Sequence, residues 1–187
     1  MKKIFSFILL AILCGCASPM PHFYQPVPVY SGSTSLYKLS GTVLLQSLQL
    51  PAEVNRPQIT TIGKNDYELK IDEFNRWGAT PDKMFLRTIA QDLAYYLPQA
   101  SIEMQTPIRK NYKYAVAIEI TEMSGKLGEE ASFSASYFIK NRNGKTIKTG
   151  QIKENTKIES GYDSYVLAQS RMMSMLAERI AADLSRL

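Results

Sequence analysis

His22 is the only histidine among the 187 residues, and it lies in a stretch punctuated by Pro19, Pro21, Pro26 and Pro28 rather than in a periodic segment. A Ser-His or Cys-His nucleophile pair and a His-based zinc site both need an imidazole held by a rigid element. Neither is expected in the folded part of this chain. Carboxylates are the next resource. Asp66, Glu68 and Asp72 share one parity of a strand-like run and could be read as paired groups for acid and base work. Lys70 stands among them, however, and Tyr67, Leu69 and Ile71 occupy the opposite parity, so a solvated sheet face explains the pattern. Glu122, Glu129 and Glu130 flank a loop around Gly125 and Gly128, and no D-x-D-x-D-G calcium loop occurs. Gly144-Lys145-Thr146 has the ending of a phosphate-binding loop, but the first glycine of that motif would fall on Ile139. No catalytic, cofactor-binding or metal-ligating residue is expected, and no enzymatic activity.

The residue with a chemistry of its own is Cys16. Lys2 and Lys3 precede an apolar run from residue 4 to 13, which is shorter than the roughly 20 residues a bilayer span requires and has the form of a targeting segment. It ends in Leu13-Cys14-Gly15-Cys16, which resembles the lipobox of bacterial lipoproteins: a leucine three positions before the cysteine and a small residue just before it. Cys16 fits and Cys14 does not, because Leu13 is too bulky to precede the cleavage point. The alternative is an ordinary secretory peptide that holds two cysteines. The likeness implies acylation of Cys16, usually with three chains, palmitate among them, which exceeds the two-signal threshold for stable anchoring. Ala17, where aspartate would retain such a protein in the inner membrane, implies an outer-membrane lipid anchor facing the periplasm of a Gram-negative bacterium.

The chain thus divides into a leader over residues 1–15, the lipidated cysteine and a Pro/Ser-rich tether over 16–35, and one domain over 36–187. Removing the leader takes away two lysines and lowers the formal net charge from +5 to +3. Behind a lipid anchor that mild excess points away from nucleic acid and at most toward lipid head groups. With the remaining cysteine acylated, no disulfide can form inside the domain. The nineteen residues from 17 to 35 could reach on the order of 60 Å if extended, so the domain need not touch its membrane. Tyr24 and Tyr30 are read as solvated tether aromatics.

From residue 36 onward the period of the apolar residues sets the elements. A first strand over 36–50 is interrupted near Gly41 and closed by Pro51, a short β-branched strand covers 58–62, and an alternating strand is centred on Leu69 and Ile71. Thr80-Pro81-Asp82 starts a helix with a hydroxyl N-cap, a proline whose missing N–H costs nothing, and a carboxylate at the positive end. That helix buries Leu86, Ile89, Leu93 and Leu97 and stops at Pro98. Strands follow over 101–105, 112–123, 133–139 and 146–152, the last two joined by Asn143-Gly144, a strong hairpin signal. A final helix over 163–186 turns Met172, Met173, Leu176, Ile180 and Leu184 inward. The expected fold is α/β in the mixed α+β sense: a single mixed, largely antiparallel sheet with two helices packed on it.

Two basic clusters, Arg109, Lys110 and Lys113 beside Tyr112, and Lys140, Arg142, Lys145 and Lys148 around the hairpin, are read as a solvated face, an acidic-partner surface or a lipid-phosphate contact. Trp77, between a strand and a helix start, is expected to fill the seam between sheet and helix. Met175 falls off the inner stripe of the last helix and is a packing or interface residue.

The order of short motifs carries a resemblance. Leu36-Tyr37-Lys38-Leu39, Leu50-Pro51, Arg56-Pro57-Gln58-Ile59, Arg76-Trp77, Pro81, Asp92-Leu93-Ala94-Tyr95-Tyr96-Leu97-Pro98 and the terminal helix from Ala168-Gln169-Ser170-Arg171, behind a lipobox, resemble the PqiC-type lipoproteins from about residue 36 onward. Gly78-Ala79-Thr80 departs from the family's more usual segment at the strand-to-helix turn. The resemblance implies an auxiliary lipoprotein of ABC-type or MCE-domain lipid transport, without enzymatic role. It implies further an MCE-domain membrane protein as partner and self-association into a homo-oligomer, such as a ring. Arg56, Arg76 and Trp77 are the candidate partner contacts. The other reading is a structural or assembly lipoprotein of another envelope-spanning complex.

Overall fold

In the computed structural model the described residues are 19–30, 36–104 and 111–187. Their elements run β1 (His22–Tyr24), β2 (Gly41–Gln49), β3 (Gln58–Ile62), β4 (Leu69–Trp77), α1 (Pro81–Tyr96), β5 (Ala100–Met104), β6 (Tyr114–Lys126), β7 (Glu130–Asn141), β8 (Thr146–Lys157) and α2 (Tyr162–Leu184). Cys16, Arg109 and Lys110 lie outside the described residues.

The strands form two sheets, not the single sheet expected. One has five strands in the order β5-β2-β6-β7-β8, and the other has three in the order β1-β4-β3. The reason is edge occupancy. β2 pairs in parallel with β5 on one side and β6 on the other, so neither side of β2 is open to the next strand in sequence, and β3 pairs with β4 in a separate sheet instead. The α+β character stands, with both helices packed on the larger sheet and sharing its core.

The antiparallel half of that sheet follows its sequence pattern. Along β7, Ala131, Phe133, Ala135, Tyr137 and Ile139 are buried and alternate with partly exposed neighbours, the period of a strand with one wet face. Gly144 turns the β7–β8 hairpin at φ 78°, a conformation that favours glycine. Against the sheet, α1 presents Phe85, Ile89 and Leu93, and α2 presents Met173, Leu176 and Ile180, all fully buried. Each is worth about 2–5 kcal/mol against alanine in such a setting. α1 begins at Pro81 as expected, but the Thr80 side chain makes no cap bond. The first turn is closed instead by the Met84 N–H to the Thr80 carbonyl.

Two expectations about the smaller sheet are corrected. The apolar parity expected to be buried is not: Leu69 and Ile71 of β4, and Tyr67 just before it, are exposed. The strand carries a bulge, with Gln58 opposite Arg76 but Ile59 opposite Asp72, and it is Asp72 that turns toward the body. The tether is also not free over its whole length. β1 lies inside it, paired in parallel with β4 through His22–Asn75, Phe23–Arg76 and Tyr24–Trp77. Beyond β1 the Val27 N–H donates to the Ser170 hydroxyl of α2 at 3.2 Å, and Tyr30 stacks on Tyr95 of α1 at 3.9 Å between ring centroids. Residues 22–30 are therefore part of the folded body, the first three on β4 and residues 26–30 against the two helices.

Candidate partner interface

The bulge of β4 is where the smaller sheet meets the rest. The Asp72 carboxylate accepts from the N–H groups of Phe74 and Asn75, both at 2.9 Å, and from the Asn75 side chain at 3.1 Å. Its other oxygen accepts from the Tyr162 hydroxyl at 2.9 Å. Burial raises its pKa, but these donors outweigh burial and hold it below the ordinary carboxylate value. The Tyr162 hydroxyl is pushed up to about 12, first by burial and then by the carboxylate it bonds. Asp66 and Glu68 do not share this setting. Both precede β4 in the hairpin turn, where Asp66 pairs with Lys126 at 3.4 Å and Glu68 accepts from the Lys64 N–H. The row of carboxylates seen in the sequence is thus split between a turn and a buried anchor point.

The residues expected to contact a partner lie together. Register places Arg76 opposite Gln58, and the Trp77 N–H donates to the Pro57 carbonyl at 2.7 Å. Arg56, Arg76 and Trp77 line one open groove of about 740 Å³, together with Phe23, Pro57 and the first residues of α1. The Trp77 ring is buried against Phe85, edge to face at 5.1 Å, so it fills the sheet–helix seam as expected and also forms the groove wall. The Arg56 Nε donates to Gln58 at 3.4 Å. Among the described residues neither Arg56 nor Arg76 has an ion-pair partner. Two uncompensated guanidiniums beside a helix start favour acidic groups on an incoming surface.

Other candidate residues scatter. Lys148 reaches Asp183 of α2 at 3.7 Å, Arg142 bonds the Tyr112 carbonyl at 3.4 Å, and Lys113 sits over the Tyr114 ring at 5.2 Å. Met175 lines a separate cavity of about 470 Å³ with Tyr37, Glu178 and Arg179.

Asp92 was not singled out by the sequence reading. It is fully buried on α1, facing the segment 26–30 and α2. No donor reaches either oxygen with good hydrogen-bond geometry. Burial pushes its carboxyl up to about 7, and the nearby Ser174 hydroxyl and Val29 N–H only partly offset this. The signal was present: Phe85, Ile89, Asp92 and Tyr96 recur at helical spacing on the buried face.

Residues 27–181 match the sequence profile of the ABC-type transport auxiliary lipoprotein component family. The chain belongs to that family. The matched span begins inside the segment 22–30 that packs on the helices, so the family unit reaches into the stretch read as a spacer. A crystal structure of an uncharacterized protein superposes with a TM-score of 0.72 at 15% identity, covering 89% of this chain and 99% of that one. Protein XCC0632 from Xanthomonas campestris gives 0.70 at 11% identity, covering 86% and 92%. At such identities the likeness is one of fold. No curated protein sequence matches significantly.

Proposed function

We propose that this transport auxiliary lipoprotein is held on the periplasmic face of the outer membrane by acylated Cys16. There it serves, without enzymatic activity of its own, as an accessory subunit of an MCE-type intermembrane lipid transport system. The observation that carries the reading is the family match over residues 27–181. The groove of Arg56, Arg76 and Trp77 supports it by supplying a docking surface of suitable chemistry, since arginine and tryptophan dominate protein contacts where they can be desolvated. The partner side of that contact is acidic with apolar flanks, and the subunits act as a homo-oligomer.

Replacing Cys16 with Ala is expected to move the protein from the outer-membrane fraction to the soluble periplasm, and retention in the membrane would remove the anchoring claim. Purification of the native lipoprotein in mild detergent is expected to bring an MCE-domain protein with it. The family's description specifies ABC-type transport without an MCE component, which keeps a second reading in view. Recovery of a different envelope-spanning complex would favour an assembly role there.

A further inference from the structure

β1 runs parallel to β4, with His22 beside Asn75 and Tyr24 beside Trp77. Followed backward from His22, the chain therefore heads past the bulge toward the start of β4 and the β3–β4 turn. Only five residues lie between Cys16 and His22, a span on the order of 20 Å when extended. An anchor at Cys16 thus draws one particular end of the molecule to the bilayer. That end carries the β3–β4 turn, tied to the end of β6 through the Lys126–Asp66 pair.

Apolar side chains stand exposed at this end, beside the equally exposed Lys64, Asp66, Glu68 and Lys70. Tyr67 at the turn is 89% exposed, Leu69 55% and Ile71 41%, and Met20 on the approaching chain is 83% exposed. Leu69 and Ile71 project on the same face of β4, two residues apart. Exposed apolar side chains gathered on one face of a strand, rather than scattered singly, are of the kind that meets another surface. The charge pattern narrows the occupant. Lys64 and Lys70 stand against Asp66, Glu68 and Asp72 in the same hairpin, and Lys126 is already paired with Asp66 and Glu129. This is not the polybasic surface that anionic lipids select. It is a near-neutral tip with a tyrosine at its rim, of the kind that settles in the head-group region of a membrane irrespective of lipid charge.

We infer that the β3–β4 hairpin is a second membrane contact, inserting Tyr67, Leu69 and Ile71 into the interface of the bilayer that holds the Cys16 acyl chains. The inference rests on the anchoring at Cys16 proposed above. Acyl chains hold the protein to the membrane, and the hairpin fixes its orientation.

The test uses the full acylated lipoprotein reconstituted into vesicles of phosphatidylethanolamine and phosphatidylglycerol. Tyr67→Cys, Leu69→Cys and, at the far end of the larger sheet, Lys145→Cys are each labelled with an environment-sensitive fluorophore. The thirteen residues of β6 put the Lys145 position roughly 40 Å from the hairpin. Labels at 67 and 69 are expected to shift to the blue and be quenched by lipid-borne quenchers, with the label at 145 unchanged. The same result is expected in vesicles of phosphatidylcholine alone. Vesicles that float with the protein while labels at 67 and 69 stay in water would overturn the hairpin contact and leave the anchor standing. Failure of the protein to float would instead overturn the anchor and the inference with it. A blue shift that vanishes as the protein is diluted into excess lipid would assign the face to a second copy of the chain, also overturning it. Replacing Tyr67, Leu69 and Ile71 together by Ser should lower the vesicle partitioning of an unacylated Cys16→Ser chain at least about tenfold. An unchanged partition coefficient in a variant that melts like its parent would count against the contact.

Discussion

Asp92 shows how one side chain can set the pH response of the whole domain. Its carboxyl is buried at the junction of α1, α2 and the segment 26–30, with its pKa raised to about 7, whereas in the unfolded chain it titrates near the ordinary value of about 4. Below that lower value both states are protonated and the group adds no pH dependence. Between the two values only the unfolded chain is ionised, so the stability present at low pH falls as pH rises, by up to about 1.4 kcal/mol per pH unit. Above the folded value the loss is complete. Asp92→Asn is therefore expected to melt close to the parent at pH 4 and above it at pH 8, the gap opening between about pH 4 and pH 7. Parallel profiles of midpoint against pH for the two proteins would rule this out. The residue had a readable position on the buried face of its helix, but its environment was not readable, because the groups that bury it come from α2 and from a stretch far earlier in the chain.

Among elements, those governed by near neighbours were legible and those governed by distant ones were not. The alternation of β7, the Asn-Gly hairpin and the proline-started helix α1 are written in a few adjacent residues, and the structure has them where the pattern puts them. Parallel pairing of β2 with both β5 and β6 joins segments separated by dozens of residues, and no local period announces it. For the same reason the Pro-rich residues 22–30 read as a spacer: their partners are hydroxyls and rings on α1 and α2. The β6–α2 junction makes a sharp prediction. A Cβ on Gly125 of β6 would stand 2.6 Å from the ring of Tyr165, which is buried on α2. Gly125→Ala should cost about 1–3 kcal/mol as overpacking, read as a lower urea midpoint with an unchanged slope, and a midpoint within error of the parent would show that the helix can move aside. Arg56, Arg76 and Trp77 were legible as a group because β3 and β4 are a local hairpin, while the shape of their groove needed β1 as well.

At the scale of the molecule, the groove and the hairpin turn occupy different parts of the smaller sheet, so partner docking and membrane contact can be separated by mutation. Arg56→Glu combined with Arg76→Glu should lower recovery of the partner at least about tenfold while the melting temperature and the membrane fraction stay near those of the parent. Undiminished recovery would move the partner contact elsewhere on the domain. The parallel pairing of β1 with β4 also has a mechanical meaning. Tension applied at residue 22 toward the hairpin end runs along the strand axis, so it loads the backbone bonds of β1 in shear, all at once, rather than peeling them open in turn. The docked residues up to Tyr30 lie behind that clamp and share the load only after it slips. A pull on the anchor is therefore carried first by the pairing of β1 with β4, and the contacts of the following residues with the two helices are shielded from it until that pairing slips.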